Sequence, residues 1–489
     1  MLLSRIPPRE QVTRYLVAHD RALVAYAGFA AFMTYLCMYA ARKPFSAVSY
    51  SGMDFFGISI DGNLLSLKVM LGVSQVIGYF LSKLWGTKIC SEVQWAGRTQ
   101  LLNKLLLASI AALALFWVLP GPWKFVAMFL NGLPLGMVWG LVVGYLEGRR
   151  ASEMLLAILS VSFIIGSGIV KDVGKWMVAA APPEGIELSQ MFALVVGLPL
   201  PVFYPALAQG LSTAPDGALQ GFGMSWQAMP FAVALLFLPC FLLATRLLGL
   251  LPHPTREDES ERTARQPMDA EARWAFFTRF LPGLLLLMLS YFLLTAYRDY
   301  QDYFGQELFT ELGYGNQAAI FTETAIPVAL GVLAALALLS LIRSNFWGLA
   351  ACFALMMAGL VLQVVSTLGF QANLLNGKWW MVWVSLGSYL AYVPFGSVIF
   401  DRVIARTRFV GTAVFAIYLA DATGYLGTIL VKLYADIFAS GGGERLSFFL
   451  TYTWVNAGVG LVCLALGCIY FLAQGSAQSQ PVAAQPQAA

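Results

Sequence analysis

The sequence predicts an all-α polytopic membrane protein, with twelve transmembrane helices in two six-helix lobes. Three observations carry this. Hydrophobic residues make up 59% of the 489 and charged residues only 11%, against roughly a quarter charged in a soluble protein. Apolar runs long enough to cross a hydrocarbon core of about 30 Å recur twelve times. Basic residues collect in every second loop, the asymmetry that orients membrane spans. The runs are continuous and do not alternate, which argues against an outer-membrane barrel.

The elements follow in order. Residues 1–21 are polar, with Arg5, Arg9, Arg14 and Arg21, and read as a cytoplasmic N-terminus without a cleavable leader. Apolar runs then fall near 22–46, 64–86, 101–119, 123–146, 153–178 and 226–250, which form an N-terminal lobe over 22–250. Residues 251–277 are a solvated linker of mixed charge on the cytoplasmic side. Runs near 278–302, 320–342, 346–369, 379–400, 409–434 and 446–473 form a C-terminal lobe over 278–473. The low-complexity tail 474–489 is expected to be disordered.

The charges orient this plan. The loops after spans 2, 4, 6, 8 and 10 carry, among others, Lys88, Arg98, Arg149, Arg150, Arg256, Arg262, Arg343, Arg402 and Arg406. Loops 47–63, 176–225 and 299–319 carry no Lys or Arg. Both termini are therefore expected in the cytoplasm, with the chain in an inner or plasma membrane. A further apolar stretch, 188–210, holds Pro199, Pro201 and Pro205. If it spanned, the basic loop 252–273 would move outside, so it is expected to be interfacial or re-entrant.

Several classes drop out. A net charge of +4 gives no reason to expect nucleic acid. The six cysteines show neither a disulfide framework nor zinc spacing. Both histidines, His19 and His253, lie in polar segments, so no metal or cofactor is expected in the membrane. No Gly-x-Ser-x-Gly, phosphate-binding Walker loop or His-Glu-x-x-His is present, so no enzyme is expected. Gradient-driven transport is the consistent class. The expected partners are membrane lipid and a small anionic substrate, and a monomer is the default.

An internal repeat sharpens the reading. Span 1 contains "YLCMYAAR", from Tyr35 to Arg42, and span 7 contains "YFLLTAYR", from Tyr291 to Arg298, at one common offset. "GLPLGMVWG" and "IIGSGIV" likewise answer "SYLAYVPFG" and "DATGYLGTILV". Parallel repeats imply two lobes with a substrate site between them near the midplane. On spacing alone, Arg42 lies about 30 Å along its helix and could snorkel to the interface. Symmetry with Arg298 favours two arginines facing one cavity. Guanidinium forks bind phosphate or carboxylate bidentately, and a pair neutralises a dianion.

The stretch "YAARKPFS" resembles the first-helix motif of the organophosphate:phosphate antiporters, members of the major facilitator superfamily. "YRDYQDYFGQELFTELGYG" is similar to that family's seventh helix, and "GYFLSKLWG" to its second. The resemblance implies Arg42 and Arg298 as phosphate ligands, Lys83 as a cation in the path, and exchange of an organic anion against inorganic phosphate. Span 5 lacks the histidine found there in the glycerol-phosphate members.

Tyr35, Tyr39, Tyr291 and Tyr297 are candidates to supply hydroxyls to the cavity. Asp421 is the most central acidic residue, and reads equally as a proton or counter-ion site and as a structural partner for a cation. Asp299 and Asp302 follow Arg298 closely, and either one is a candidate gate that pairs with it when substrate is absent. Lys68, Lys171, Lys175 and Glu323 are expected at the membrane interface. Two alternatives stay open: a proton-coupled carrier of a carboxylate or other solute that depends on Asp421, and a receptor that binds a phosphorylated ligand without moving it.

Overall fold

The computed structural model describes residues 9–147, 149, 151–179, 223–253, 270–317, 319–342, 344–407, 413–439 and 444–474. The stretch 188–210, most of the linker, nearly all of the tail and several loop cations, including Arg150 and Arg343, lie outside the described residues.

Among the described residues, ten helices are long and apolar enough to cross a membrane: Asp20–Tyr39, Leu67–Gly86, Gly97–Val118, Gly121–Leu146, Ser152–Val178 and Met229–Gly249, then Leu281–Tyr303, Ile320–Ser340, Asn345–Gln371 and Glu444–Ala473. They are spans 1 to 9 and span 12. Helices Gly377–Ser397 and Ala413–Phe438 supply spans 10 and 11. Polar residues such as Lys378, Asp421, Lys432 and Asp436 lower their hydropathy.

The two halves pack alike. Span 1 lies against spans 5 and 6, span 2 against span 4, and span 3 against spans 4 and 6. Correspondingly, span 7 lies against 11 and 12, span 8 against 10, and span 9 against 10 and 12. The halves meet where span 5 packs on span 8 and span 2 on span 11, a pair of contacts that one two-fold relation interchanges. Small residues allow the tightest seams. A Cβ on Gly132 of span 4 would stand 2.2 Å from the Gln75 carbonyl oxygen of span 2.

Two departures from the sequence reading matter. Span 1 stops at Tyr39, short of the end of its apolar run, and the chain turns through residues 40–43 into a single 3-10 turn, Pro44–Ala47. Pro44 has no N–H with which to continue the helical ladder. The loop between spans 1 and 2 is also not irregular. Strand β1 (Asp54–Ile60) pairs antiparallel with β2 (Asn63–Ser66). Asp61 and Gly62 both take positive φ, 49° and 82°, as a two-residue type I′ turn requires. This hairpin marks one side of the molecule, called here the hairpin side. After twelve crossings both described chain ends lie opposite it.

Candidate functional site

Arg42 is fixed by its backbone. The turn after span 1 leaves carbonyls without helical partners, and two buried amides take them up. Asn131 of span 4 donates to the Ala41 carbonyl at 3.0 Å, and Gln75 of span 2 donates to the Arg42 carbonyl at 3.0 Å. Gln75 also donates to Asn131 at 2.8 Å, which locks the pair. The Arg42 guanidinium lies over the Tyr79 ring at 4.2 Å and the Tyr39 ring at 5.5 Å. Arg298 sits within span 7, over Tyr392 at 4.5 Å and Tyr389 at 5.8 Å. The Tyr39 hydroxyl is within electrostatic reach of both guanidiniums. Each arginine has a buried Nε with no hydrogen-bond partner, and among the described residues neither makes an ion pair.

The neighbouring lysines are matched to carboxylates. Lys43 lies 2.5 Å from Asp302 and 3.8 Å from Asp299. Lys171 lies 2.8 Å from Asp302, Lys432 2.6 Å from Asp299, and Lys68 2.6 Å from Glu307. Lys83 pairs with Asp421, whose other oxygen accepts from the Tyr291 hydroxyl at 2.8 Å. All but the Lys432 pair join one lobe to the other. Further bonds close the hairpin side. The N–H and hydroxyl of Ser66 donate to Asp436 at 2.7 and 2.6 Å. Asp172 accepts from the N–H groups of Phe321 and Thr322, capping span 8 from span 5.

These contacts correct several expectations. Lys68 and Lys171 do not snorkel; they are 2% and 3% exposed, because they face the other lobe and its acidic residues. Lys175 likewise donates to the Gly315 and Gln317 carbonyls at 2.5 and 2.7 Å. Asp299 and Asp302 are held by lysines, not by Arg298. Tyr297 is turned into the seam with span 12, where its hydroxyl meets Thr453 at 2.9 Å and its ring stacks on Phe449. One residue along a helix turns a side chain by about 100°, so Tyr297 and Arg298 cannot share a face. Tyr35 packs between Tyr39 and Trp139, with centroids at 5.6 and 5.0 Å. Glu323 pairs with Lys378, both partly exposed.

A cavity of about 70 Å³ lies between span 5 of the first lobe and spans 7, 8 and 10 of the second. At about 10–15 Å³ per water this holds a few small polar atoms. Span 7 lines it with Arg298, Gln301 and Asp302, spaced i, i+3, i+4 along one helix face, and Gly305 adds the start of the short helix Gly305–Glu311 that follows. Span 5 lines it with Ile164, Ser167, Gly168 and Lys171, spaced i, i+3, i+4, i+7. Ser385 and Tyr389 of span 10 complete the polar wall. The cavity thus includes Arg298 and Asp302 but not Arg42, Lys83 or Asp421. Sequence reasoning missed Gln301, Ser385, Tyr79, Tyr389 and Tyr392. The helical spacing from Arg298 could have found Gln301. Among the described residues, no group of His, Cys, Asp or Glu side chains is placed to hold a metal ion.

Comparison with known proteins places the architecture. No curated protein matches the chain in sequence. Solved structures match over nearly its whole length. A variant of the Escherichia coli fucose:proton symporter FucP aligns over 91% of this chain and 98% of its own, with a TM-score of 0.54 and 13% identity. A bacterial homologue of the human lysosomal transporter Spinster, in an inward-facing conformation, aligns over 92% and 96%, at 0.50 and 12%. The nucleoside transporter NupG, also a variant, aligns over 92% and 99%, at 0.51 and 12%. These likenesses give the chain the twelve-helix fold of the major facilitator superfamily. A family model described as a family of unknown function, DUF5690, matches residues 44–217 and 206–474. The chain belongs to that family, and it is a multi-pass membrane protein.

Proposed function

We propose that the chain is a secondary transporter that moves a small organic anion by alternating access, with Arg42 and Arg298 holding the acidic group. One contrast carries the reading. Five lysines around the lobe boundary each have a carboxylate, while the two arginines at equivalent places in the repeats lie against tyrosine rings with an Nε unpartnered. A buried cation without a counter-charge costs several kcal/mol. Intramembrane charges of that kind mark substrate paths. An anion that bridges two guanidinium forks supplies the missing charge.

The hairpin side is the outer side by the distribution of basic loops. There the lobes are tied through Lys43, Lys68, Lys171, Asp172 and Asp436, so this conformation is closed to the outside. Rocking the lobes apart on that side requires those ties to release together, while the Lys83–Asp421 pair ties them toward the other side. Exchange against inorganic phosphate is the form that the resemblance of "YAARKPFS" and the span 7 stretch to the organophosphate:phosphate antiporters supports.

Uptake of labelled phosphate into proteoliposomes, preloaded with phosphate or left empty, tests this. Wild-type uptake should require internal phosphate and vanish in Arg42→Ala and Arg298→Ala. Uptake that both variants retain would sink the two-arginine site. A second reading, proton coupling, is favoured by the Lys83–Asp421 pair, because protonating Asp421 frees Lys83. Uptake driven by an inward pH gradient into phosphate-free vesicles, and lost in Asp421→Asn, would replace phosphate exchange with it.

A further inference from the structure

Gln301 follows Arg298 by three residues on the face of span 7 that lines the cavity, and it is 7% exposed. Its Nε2 donates to the Ser385 hydroxyl at 2.7 Å and approaches the Met381 carbonyl at 3.4 Å and sulfur at 3.8 Å. Ser385 gives its own hydrogen to the Met381 carbonyl at 2.6 Å. A hydroxyl has one hydrogen, so Ser385 must accept from Gln301. That fixes which way the amide faces: the nitrogen toward Ser385, and Oε1 away from it. Among the described residues no donor reaches Gln301 Oε1, yet the atom is not among the fully enclosed unpartnered ones. Gln301 lines the cavity, and Oε1 is the acceptor it has free there.

We propose that Gln301 determines specificity: its Oε1 accepts a hydrogen bond from a donor on the organic part of the anion whose acidic group Arg298 holds. Three residues of helix separate the two groups by about 4.5 Å along the axis. The substrate class is then a short hydroxylated organic anion, with the hydroxyl a few bonds from the phosphate or carboxylate. An ammonium donor fits less well. Asp302, the acidic group in the cavity, is already neutralised by Lys43 and Lys171. The inference deepens the anion-carrier reading and rests on it.

Calorimetric titration of the purified protein with two matched pairs tests it: glycerol 3-phosphate against propyl phosphate, and 3-hydroxybutyrate against butyrate. Wild type should prefer the hydroxylated member by about tenfold, the effect of one buried hydrogen bond. Gln301→Leu should abolish that preference by weakening the hydroxylated member alone. Ser385→Ala, which keeps the acceptor but frees the amide to turn, should reduce that preference. A preference that survives in both variants, or an equal loss for both members of a pair, overturns the assignment while leaving the anion site standing. Failure of wild type to bind any of the four, with Arg298→Ala indistinguishable from it, overturns the anion-carrier reading and this inference together.

Discussion

Lys43 and Asp299 stand at equivalent positions of the two repeats, each one residue after an arginine, and they meet across the lobe boundary at 3.8 Å. The charge is reversed between the copies. A position that symmetry would make repulsive becomes an attraction between lobes. Asp302 strengthens it by binding Lys43 and Lys171 from the other lobe at once.

Replacing Asp302 with Asn should therefore loosen the closed hairpin side more than any single lysine change there. It leaves Lys171 without a carboxylate and Lys43 with only the Asp299 oxygen at 3.8 Å, and breaking one buried pair costs about 3–5 kcal/mol. The readout is the labelling rate of a reporter cysteine at Ser167 by a membrane-impermeant thiol reagent. Faster labelling in Asp302→Asn is expected. An unchanged rate would mean that the Asp302 pairs do not hold the lobes together.

The arginines and Lys83 should respond to neutralisation in opposite ways. Arg298→Met removes a cation that has no ion-pair partner among the described residues, so thermal stability should hold or rise while anion affinity falls. The loss should be at least tenfold to a hundredfold, from the roughly 1.5–3 kcal/mol of one charge-assisted bond. Lys83→Met instead leaves Asp421 unpaired inside the protein and should lower the unfolding temperature in detergent. Equal destabilisation by both changes would remove the distinction between a substrate cation and a structural one.

The sequence made the spans legible because each is a near-continuous apolar run, and the repeat made Arg42 and Arg298 legible because the same Tyr-to-Arg spacing recurs. The roles of Lys68 and Lys171 were hidden. Distance from the end of a span cannot separate a lysine that reaches water from one that reaches a carboxylate on the other lobe. Their partners, Glu307 and Asp302, lie far along the chain. The hairpin carried a legible turn in Asp61-Gly62, but β1 is an irregular strand, with its register shifted between Asp54 and Ser59, so alternation did not stand out. Gln301 needed a cavity to be noticed, although it lies on the Arg298 face.

For Lys83 and Asp421, a double-mutant cycle is expected to show strong coupling. Each single change orphans a buried charge, whereas Lys83→Met with Asp421→Leu removes both. Apolar replacement of a whole buried pair is often neutral or stabilising by about 1–4 kcal/mol. The double variant should therefore melt near wild type, above either single variant. Additive losses in the melting curves would show that the two side chains act separately.

The last expectation concerns the seam between spans 5 and 8. A Cβ on Gly168 would lie 2.8 Å from the Phe321 carbonyl oxygen and 3.0 Å from its carbon. Both are backbone atoms at the start of span 8 and cannot rotate aside. The same seam holds the Asp172 cap on Thr322 and the wall of the cavity. A Val at 168 is therefore a wedge between lobes, because these two helices belong to different halves. It should prevent closure of the hairpin side while leaving the packing within each lobe intact. Binding of an anion should persist in detergent, net uptake should stop, and the Ser167 reporter should label faster, as in Asp302→Asn. Normal uptake by Gly168→Val would show that spans 5 and 8 need not come this close during transport, and the hairpin-side closure described here would then lie outside the working cycle.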